Sequence, residues 1–277
     1  MNEWMNDLDI ARLLALKAAQ SSDWLFALPL SSCDLRMYDE TIRVAVGLRL
    51  GLKLCAAHTC PCGALVSARG THGLSCKWSA RRSTRHHQIS DLIWRAVKRA
   101  AVPASKQPSG LLRDDEKRPD GLTLVAWQNG RCLTWDATVM NSLASSYLSA
   151  TSSLPGSAAE AAAVRERSKY AAITLTHVFV PVAVETLRHV NAEGLRFLDQ
   201  IGDRLSAVIG YPRESSFLYQ RLSVIFQSFN AAPSSSRRTP KLSHYRHWCY
   251  LSFSPSGSLL PRVKKLIIKI IYDVWRV

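Results

Sequence analysis

The chain has 277 residues, of which 47% are hydrophobic, so it is long enough to bury at least one substantial core. Lysine and arginine together number 36 against 21 acidic residues, which gives a formal charge of +15 and a pI near 9.8. Such a charge indicates a polyanionic partner, because it favours association with phosphate backbones. No stretch is apolar enough to span a bilayer and the first residues are unlike a signal peptide, so we expect an intracellular protein without a membrane partner.

The first predicted elements are two helices. Apolar residues recur at helical spacing from Met5 to Gln20, and the same pattern returns from Asp39 to Leu50. We assign residues 1–54 to a helical linker segment.

A cluster of cysteines follows, and it predicts a zinc site. The seven cysteines of the chain are an odd number concentrated near residues 55–76, which favours metal ligation over a disulfide framework. Four side chains of this cluster can close a tetrahedral structural zinc site: Cys60, Cys62, His72 and Cys76. Cys55 or His58 could replace one of them, and buried free thiols are the alternative. We expect a CCHC-type zinc knuckle over residues 55–85.

A basic segment comes next and is predicted to face a nucleic-acid backbone. Its candidate contacts are Lys77, Arg81, Arg82, Arg85 and His86. The alternative is a solvated helix N-terminus, since runs of charge usually lie on the surface. Apolar residues at helical spacing then predict a helix from about His86 to Ala101, which Pro103 ends. Residues 103–120 predict a loop with at most one short edge strand.

Two β-prone runs, Leu122–Trp127 and Arg131–Trp135, flank an Asn-Gly pair, which is a strong hairpin signal. Asp120 precedes the first run and Asp136 ends the second, so antiparallel pairing would bring the two carboxylates within roughly 5.5 Å. Two such carboxylates can hold Mg²⁺ or Mn²⁺ and suit phosphodiester cleavage. The alternative is that Asp120 caps a turn and that Asp136 is a solvated strand end.

After the hairpin, residues 142–159 predict a flexible loop over this site, and an alanine-rich helix is expected from Ala158 to Thr174. A β-branched strand over 177–185 and helices near 192–209 and 214–230 complete the pattern. The order predicts an α/β fold with a mixed sheet flanked by helices. Glu185, which ends the last strand, is a weaker candidate ligand and is expected to be solvated.

The motifs together resemble a known family. Arg118-Pro119-Asp120, the hairpin, Asp136-Ala137-Thr138 and Lys169-Tyr170 resemble the restriction-like endonuclease, a PD-(D/E)XK nuclease variant, of site-specific non-long-terminal-repeat retrotransposons. The cysteine cluster with Arg85-His86, and the segment from Trp24 to Gly51, are similar to the regions that precede that nuclease. The resemblance spans roughly residues 20–230, and the combination of motifs is more specific than any one of them.

The resemblance implies a restriction-endonuclease-like core over residues 86–230 and assigns catalytic roles to Asp120, Asp136 and Lys169. Thr138 stands where the family pattern has its lysine, and Lys169 takes the place of a lysine that related nucleases carry on the next helix. The implied function is Mg²⁺-dependent nicking of target DNA that primes reverse transcription of element RNA in the nucleus. The sequence shows no polymerase motif before the knuckle, so we expect a C-terminal part of such a polyprotein, either active or inactive.

Residues 231–277 form the last region, a basic tail. From Arg237 onward it holds nine Lys or Arg residues and one acid, a net of +8 that leaves +7 for the rest of the chain. A solvated or disordered extension is one interpretation of this tail. For the whole chain, the alternatives to a nuclease are a non-catalytic, zinc-containing nucleic-acid-binding module and a purely structural linker.

Overall fold

The structure is a computed structural model that describes residues 6–33, 35–76, 78, 81–111 and 118–231, with the backbone alone at 81–83. Lys77, the side chains of Arg81 and Arg82, and the predicted tail beyond Ala231 lie outside the described residues. The described part is a mixed α/β fold that carries a Cys/His cluster. Seven α-helices occur within these ranges: α1 Asp7–Leu16, α2 Asp39–Leu50, α3 Arg81–Arg99, α4 Ser145–Ser153, α5 Ser157–Lys169, α6 Ala192–Ile209 and α7 Glu214–Ala231.

The main sheet has four strands: β3 Ala104–Lys106, β4 Gly121–Thr123, β5 Leu133–Met140 and β6 Val178–Glu185. They lie in the order β3-β4-β5-β6. The first two pairings are antiparallel, and β5 pairs with β6 in parallel across α4 and α5, so the sheet is mixed. The two short strands β1 His58–Thr59 and β2 Leu65–Val66 form a separate hairpin within the cysteine cluster.

The predicted hairpin before Asp136 is confirmed. Gln128 pairs with Arg131 around Asn129 and Gly130, both of which have positive φ, at 50° and 69°. Two consecutive left-handed residues are the requirement of a type I′ turn, which explains the Asn-Gly pair. The residue after Asp120 must be glycine, because a Cβ atom added at Gly121 would lie 2.0 Å from the Trp135 ring.

Helices cover both faces of the sheet. On one face, α3, α6 and α7 enclose the main core, in which Ile89, Trp135, Phe197 and Phe226 are buried. Burial of such side chains stabilises the fold by roughly 1.5–3 kcal/mol each. On the other face, alanines of α5 pack against Ala183 of β6. Small side chains at this contact allow α5 to approach the sheet closely.

The N-terminal helices pack on the α/β part. Arg49 of α2 is buried and donates to the Gln227 side chain of α7 over 2.7 Å, and its guanidinium lies 5.4 Å from the Trp24 ring. Asp9 of α1 forms an ion pair with Arg69 at 2.9 Å, which ties α1 to the cysteine-rich segment. Among the described residues, no helix is both long enough and apolar enough to cross a membrane.

Two predictions about local structure are wrong. Residues 145–153 form the helix α4 within the predicted flexible loop, and the buried Thr151 hydroxyl donates to the Ser142 carbonyl over 2.9 Å. Glu185 is also buried, where solvation was expected. Its carboxylate accepts from the backbone N–H groups of Ala158 and Ala159 at 3.1 and 3.2 Å, so it caps the first turn of α5.

Candidate functional site

The β4–β5 register brings the two predicted aspartates together. Gly121 pairs with Trp135 and Leu122 with Thr134, so extending this antiparallel register by one residue sets Asp120 opposite Asp136. Residues that face each other across two strands have neighbouring side chains. Both aspartates are buried, at 4% and 6% exposure, which excludes the alternative of a solvated strand end for Asp136.

Each aspartate has a different set of partners. Asp120 Oδ2 accepts from the Ala137 backbone N–H at 2.8 Å and lies 3.2 Å from Nε2 of His86. Asp136 Oδ1 accepts from the Tyr170 hydroxyl at 3.2 Å. These contacts join the start of α3, the β4–β5 pair and the end of α5 at one place.

Helix α5 contributes a cationic side chain next to the two aspartates. Lys169, at its last turn, has Nζ 3.8 Å from Asp136 Oδ2 and 2.9 Å from Oε2 of Glu166. Glu166 lies three residues before Lys169, a spacing that sets both side chains on one face of a helix. The site therefore combines three carboxylates with one lysine, and the sequence-predicted Asp120, Asp136 and Lys169 meet in it.

Burial and the neighbouring Asp120 carboxylate raise the pKa of Asp136 to about 7. Removal from water disfavours a charged carboxylate, and a second negative charge nearby acts in the same direction. The hydrogen bond to Asp120 raises the pKa of His86 against the opposing effect of burial. Burial and Asp136 both raise the pKa of the Tyr170 hydroxyl, so this group remains a proton donor. The site thus holds negative charge that the cations present compensate only in part.

Sequence analysis missed three members of this site. His86 was assigned to a nucleic-acid-facing segment, and Tyr170 was noted only as the neighbour of Lys169. Glu166 falls within the predicted alanine-rich helix but was given no role. The three-residue spacing of Glu166 and Lys169 along one helix face could have predicted the ion pair between them. The His86 contact depends on where α3 begins relative to β4, which sequence periodicity does not determine.

The predicted basic segment, which forms the first turns of α3 from Arg81 onward, is not uniformly exposed. Arg85 is buried, so its side chain does not lie on the surface where a phosphate contact requires it. This corrects the predicted role of Arg85: helical spacing turns its side chain inward, on the same face as Ile89. Trp78, by contrast, is 64% exposed.

The cysteine cluster forms a compact group of four metal-ligand side chains. The ligand atoms of Cys60, Cys62, His72 and Cys76 all lie within 4.8 Å of one another. The sulfur atoms of Cys60 and Cys76 are 3.6 Å apart, and Cys62 Sγ is 3.3 Å from Nε2 of His72. Tetrahedral zinc with Zn–S bonds near 2.3 Å separates two sulfur ligands by about 3.8 Å. This cluster could therefore hold a metal ion such as zinc.

Backbone turns create that arrangement. Gly63 and Gly70 have φ of 88° and 68°, a left-handed conformation that glycine adopts without strain. Cys55, the considered substitute, instead directs its thiol to the backbone carbonyls of Ser67 and Ala68. Nδ1 of His58 lies 2.9 Å from the backbone carbonyl oxygen of Ala56. Neither Cys55 nor His58 therefore belongs to the group of four.

Comparison of this sequence with protein-family models and with curated proteins finds no match. The chemistry of the two clusters is therefore the basis on which a function can be proposed.

Proposed function

We propose that this protein is a metal-dependent DNA endonuclease of the restriction-like class, encoded by a non-long-terminal-repeat retroelement. The observation that carries the proposal is that Asp120, Asp136 and Lys169 lie together, the three residues to which the family resemblance assigns catalytic roles. The order helix, three strands, two helices and strand, from α3 to β6, also supports a restriction-endonuclease-like core.

A divalent cation fits the donor set. The buried carboxylates of Asp120 and Asp136 lie opposite each other, and burial together with the Asp120 charge raises the pKa of Asp136 to about 7. Oxygen ligands of this kind are those that Mg²⁺ and Mn²⁺ prefer. Asp120 and Asp136 would hold the ion, which when bound supplies an activated water and neutralises charge on the scissile phosphate.

The remaining residues orient and balance this centre. His86 and the Ala137 N–H fix Asp120 through its Oδ2 atom, while the Tyr170 hydroxyl fixes Asp136 through Oδ1. Lys169 is the cation on the α5 side, where its ammonium can stabilise negative charge that develops on the phosphate. Glu166 holds the Lys169 side chain from within the same helix.

The zinc-type cluster has a structural role in this proposal. It lies directly before α3, so a metal ion in Cys60, Cys62, His72 and Cys76 would stabilise the segment that precedes the His86 turn. The charge of +15 supports DNA as the partner, and nicking of target DNA for reverse transcription of element RNA implies action in the nucleus.

The test is nicking of supercoiled plasmid by the zinc-loaded protein with added Mg²⁺ or Mn²⁺, beside an Asp120→Ala, Asp136→Ala double variant. Metal-dependent nicking by the wild-type chain that the double variant lacks would support the nuclease. Binding of plasmid without nicking by either protein would instead support a non-catalytic nucleic-acid-binding module. That second function is favoured by the same charge and cluster, but it gives no role to two buried, facing carboxylates.

A further inference from the structure

A groove of about 960 Å³ lies between α3 and α7, closed at one side by the short helical turn Ser31–Cys33. This volume is at the upper end of the roughly 300–1,000 Å³ typical of ligand clefts, which suits a short stretch of a single strand and is too small for a double helix. None of the residues assigned above to the carboxylate site, the zinc-type cluster or its contacts lines it.

Its charge favours an anionic occupant. Four cationic side chains line it: Arg95, Arg99, Lys106 and Arg221. Two carboxylates offset part of this charge, because Asp91 contacts Arg95 and Lys106 while Glu214 contacts Arg99. Nε of Arg221 is buried and finds no hydrogen-bond acceptor within the described part of the chain. The groove therefore retains a cationic excess and a buried donor.

The same groove has apolar surface between these charges. Phe217, Leu218, Ile225 and Phe229 are among the α7 residues that line it. Cations combined with aromatic rings are the usual composition of single-strand-binding grooves, where the cations contact phosphates and the rings stack on bases.

The groove adjoins the carboxylate site at the first turns of α3. His86 contacts Asp120, whereas the next residue, His87, lines the groove. At the sheet edge, Lys106 lines the groove and pairs in register with Gly121, the residue after Asp120. A strand in the groove would thus pass beside the turn of α3 that carries His86.

We propose that the α3–α7 groove binds a single-stranded stretch of nucleic acid next to the phosphate that the carboxylate site cleaves. The position of the scissile phosphate rests on the function proposed above, whereas binding of the strand by the groove does not. Arg95, Arg99, Lys106 and Arg221 contact phosphates, and Phe217 and Phe229 contact bases.

The experiment measures binding of a fluorescein-labelled oligothymidylate by anisotropy, with the full chain in its zinc-loaded form and without Mg²⁺ or Mn²⁺. An Arg95→Gln, Arg221→Gln variant removes two groove cations. The matched control is Arg43→Gln, Arg196→Gln: it loses the same charge from two other helices, and Arg43, like Arg95, has a carboxylate partner within its own helix. We expect a roughly tenfold weaker Kd for the groove variant at physiological salt, and a salt slope smaller by about 1.4, since each lost single-strand phosphate contact removes about 0.7.

Equal affinities and equal slopes for the groove variant and the control would overturn the inference. A groove variant that loses affinity for a labelled duplex but not for the oligothymidylate would also overturn it, because the groove would then not be selective for a single strand. The proposed nuclease is tested separately. If the oligothymidylate binds as expected but plasmid is never nicked, the groove stands and the endonuclease does not.

Discussion

Nε2 of His86 lies 3.2 Å from Oδ2 of Asp120, across the gap between the first turns of α3 and the start of β4. Asp120 is buried. The same oxygen, Oδ2, also accepts a hydrogen bond from the backbone N–H of Ala137 in β5. The histidine is therefore part of what holds this carboxylate in place, although the sequence assigned it to a surface that contacts phosphate.

Replacing His86 by alanine is expected to slow plasmid nicking by roughly ten- to a hundredfold, because a hydrogen bond to a charged group contributes about 1.5–3 kcal/mol. Single-turnover nicking rates at saturating protein measure this effect. His177→Ala is the control, because His177 is also half-buried but lies just before β6 and contacts Thr176, not Asp120. Equal rates for the two variants would show that His86 has no role in cleavage.

Lys169→Ala is expected to reduce nicking by about a hundredfold or more, the scale seen when a group that stabilises transition-state charge is removed. Arg165→Ala removes a cation from the same helix, but one that contacts Tyr147 and not Asp136, so its rate should stay near wild type. Anisotropy with a DNA duplex should give similar affinities for both variants. Retained cleavage by Lys169→Ala would refute the proposal that Lys169 of α5 serves as the catalytic lysine.

Zinc content should separate Cys62 from Cys55. Cys62→Ser removes a ligand from the group of four and is expected to lower bound zinc well below one equivalent, measured by atomic emission after dialysis. Cys55→Ser changes a thiol that donates only to backbone carbonyls, so it should keep one equivalent. A chelator should also lower the thermal midpoint of the wild-type chain. Zinc loss in Cys55→Ser alone would contradict the ligand set.

Asp136→Asn is expected to stabilise the protein against urea at about pH 8 in the absence of Mg²⁺ and Mn²⁺. Burial raises the pKa of Asp136 from 3.8 to about 7, so the stability that its protonated form provides is complete below the unfolded pKa and is lost as the pH rises through 7. The gain of the variant should be on the order of a few kcal/mol at high pH and should shrink toward pH 4.

The control for this effect is Asp203→Asn, which removes one negative charge from an exposed position on α6. Comparison of the two urea midpoints at each pH isolates the contribution of burial from that of net charge. A wild-type chain that is as stable as Asp136→Asn at about pH 8 would contradict the raised pKa.

Much of the fold followed from local sequence patterns. Helix α2 has the predicted bounds, and β6, α6 and α7 agree with prediction to within one residue at each end, because long apolar periodicities specify an element strongly. The Asn-Gly pair predicted the turn between β4 and β5 but not their register. Continuing the Gln128–Arg131 pairing would set Thr123 opposite Asp136, and three extra residues on the β4 side of the turn shift Asp120 into that place. Helix α4 was not predicted, because its serine-rich sequence has weak intrinsic helix propensity and the helix depends on packing against α1 and α5.

The sequence by itself indicated which residues are candidates for chemistry, and it determined the tight turn between Asp120 and Asp136, since Asn129 and Gly130 accept the left-handed conformation that this turn requires. Only the tertiary structure decided that α5 approaches the sheet closely enough to bring Lys169 and Tyr170 to Asp136. It also decided that α3 packs where its residue His86 contacts Asp120. The reason is physical: these contacts depend on how helices pack on a sheet, and packing joins residues that are far apart in sequence and share no local pattern.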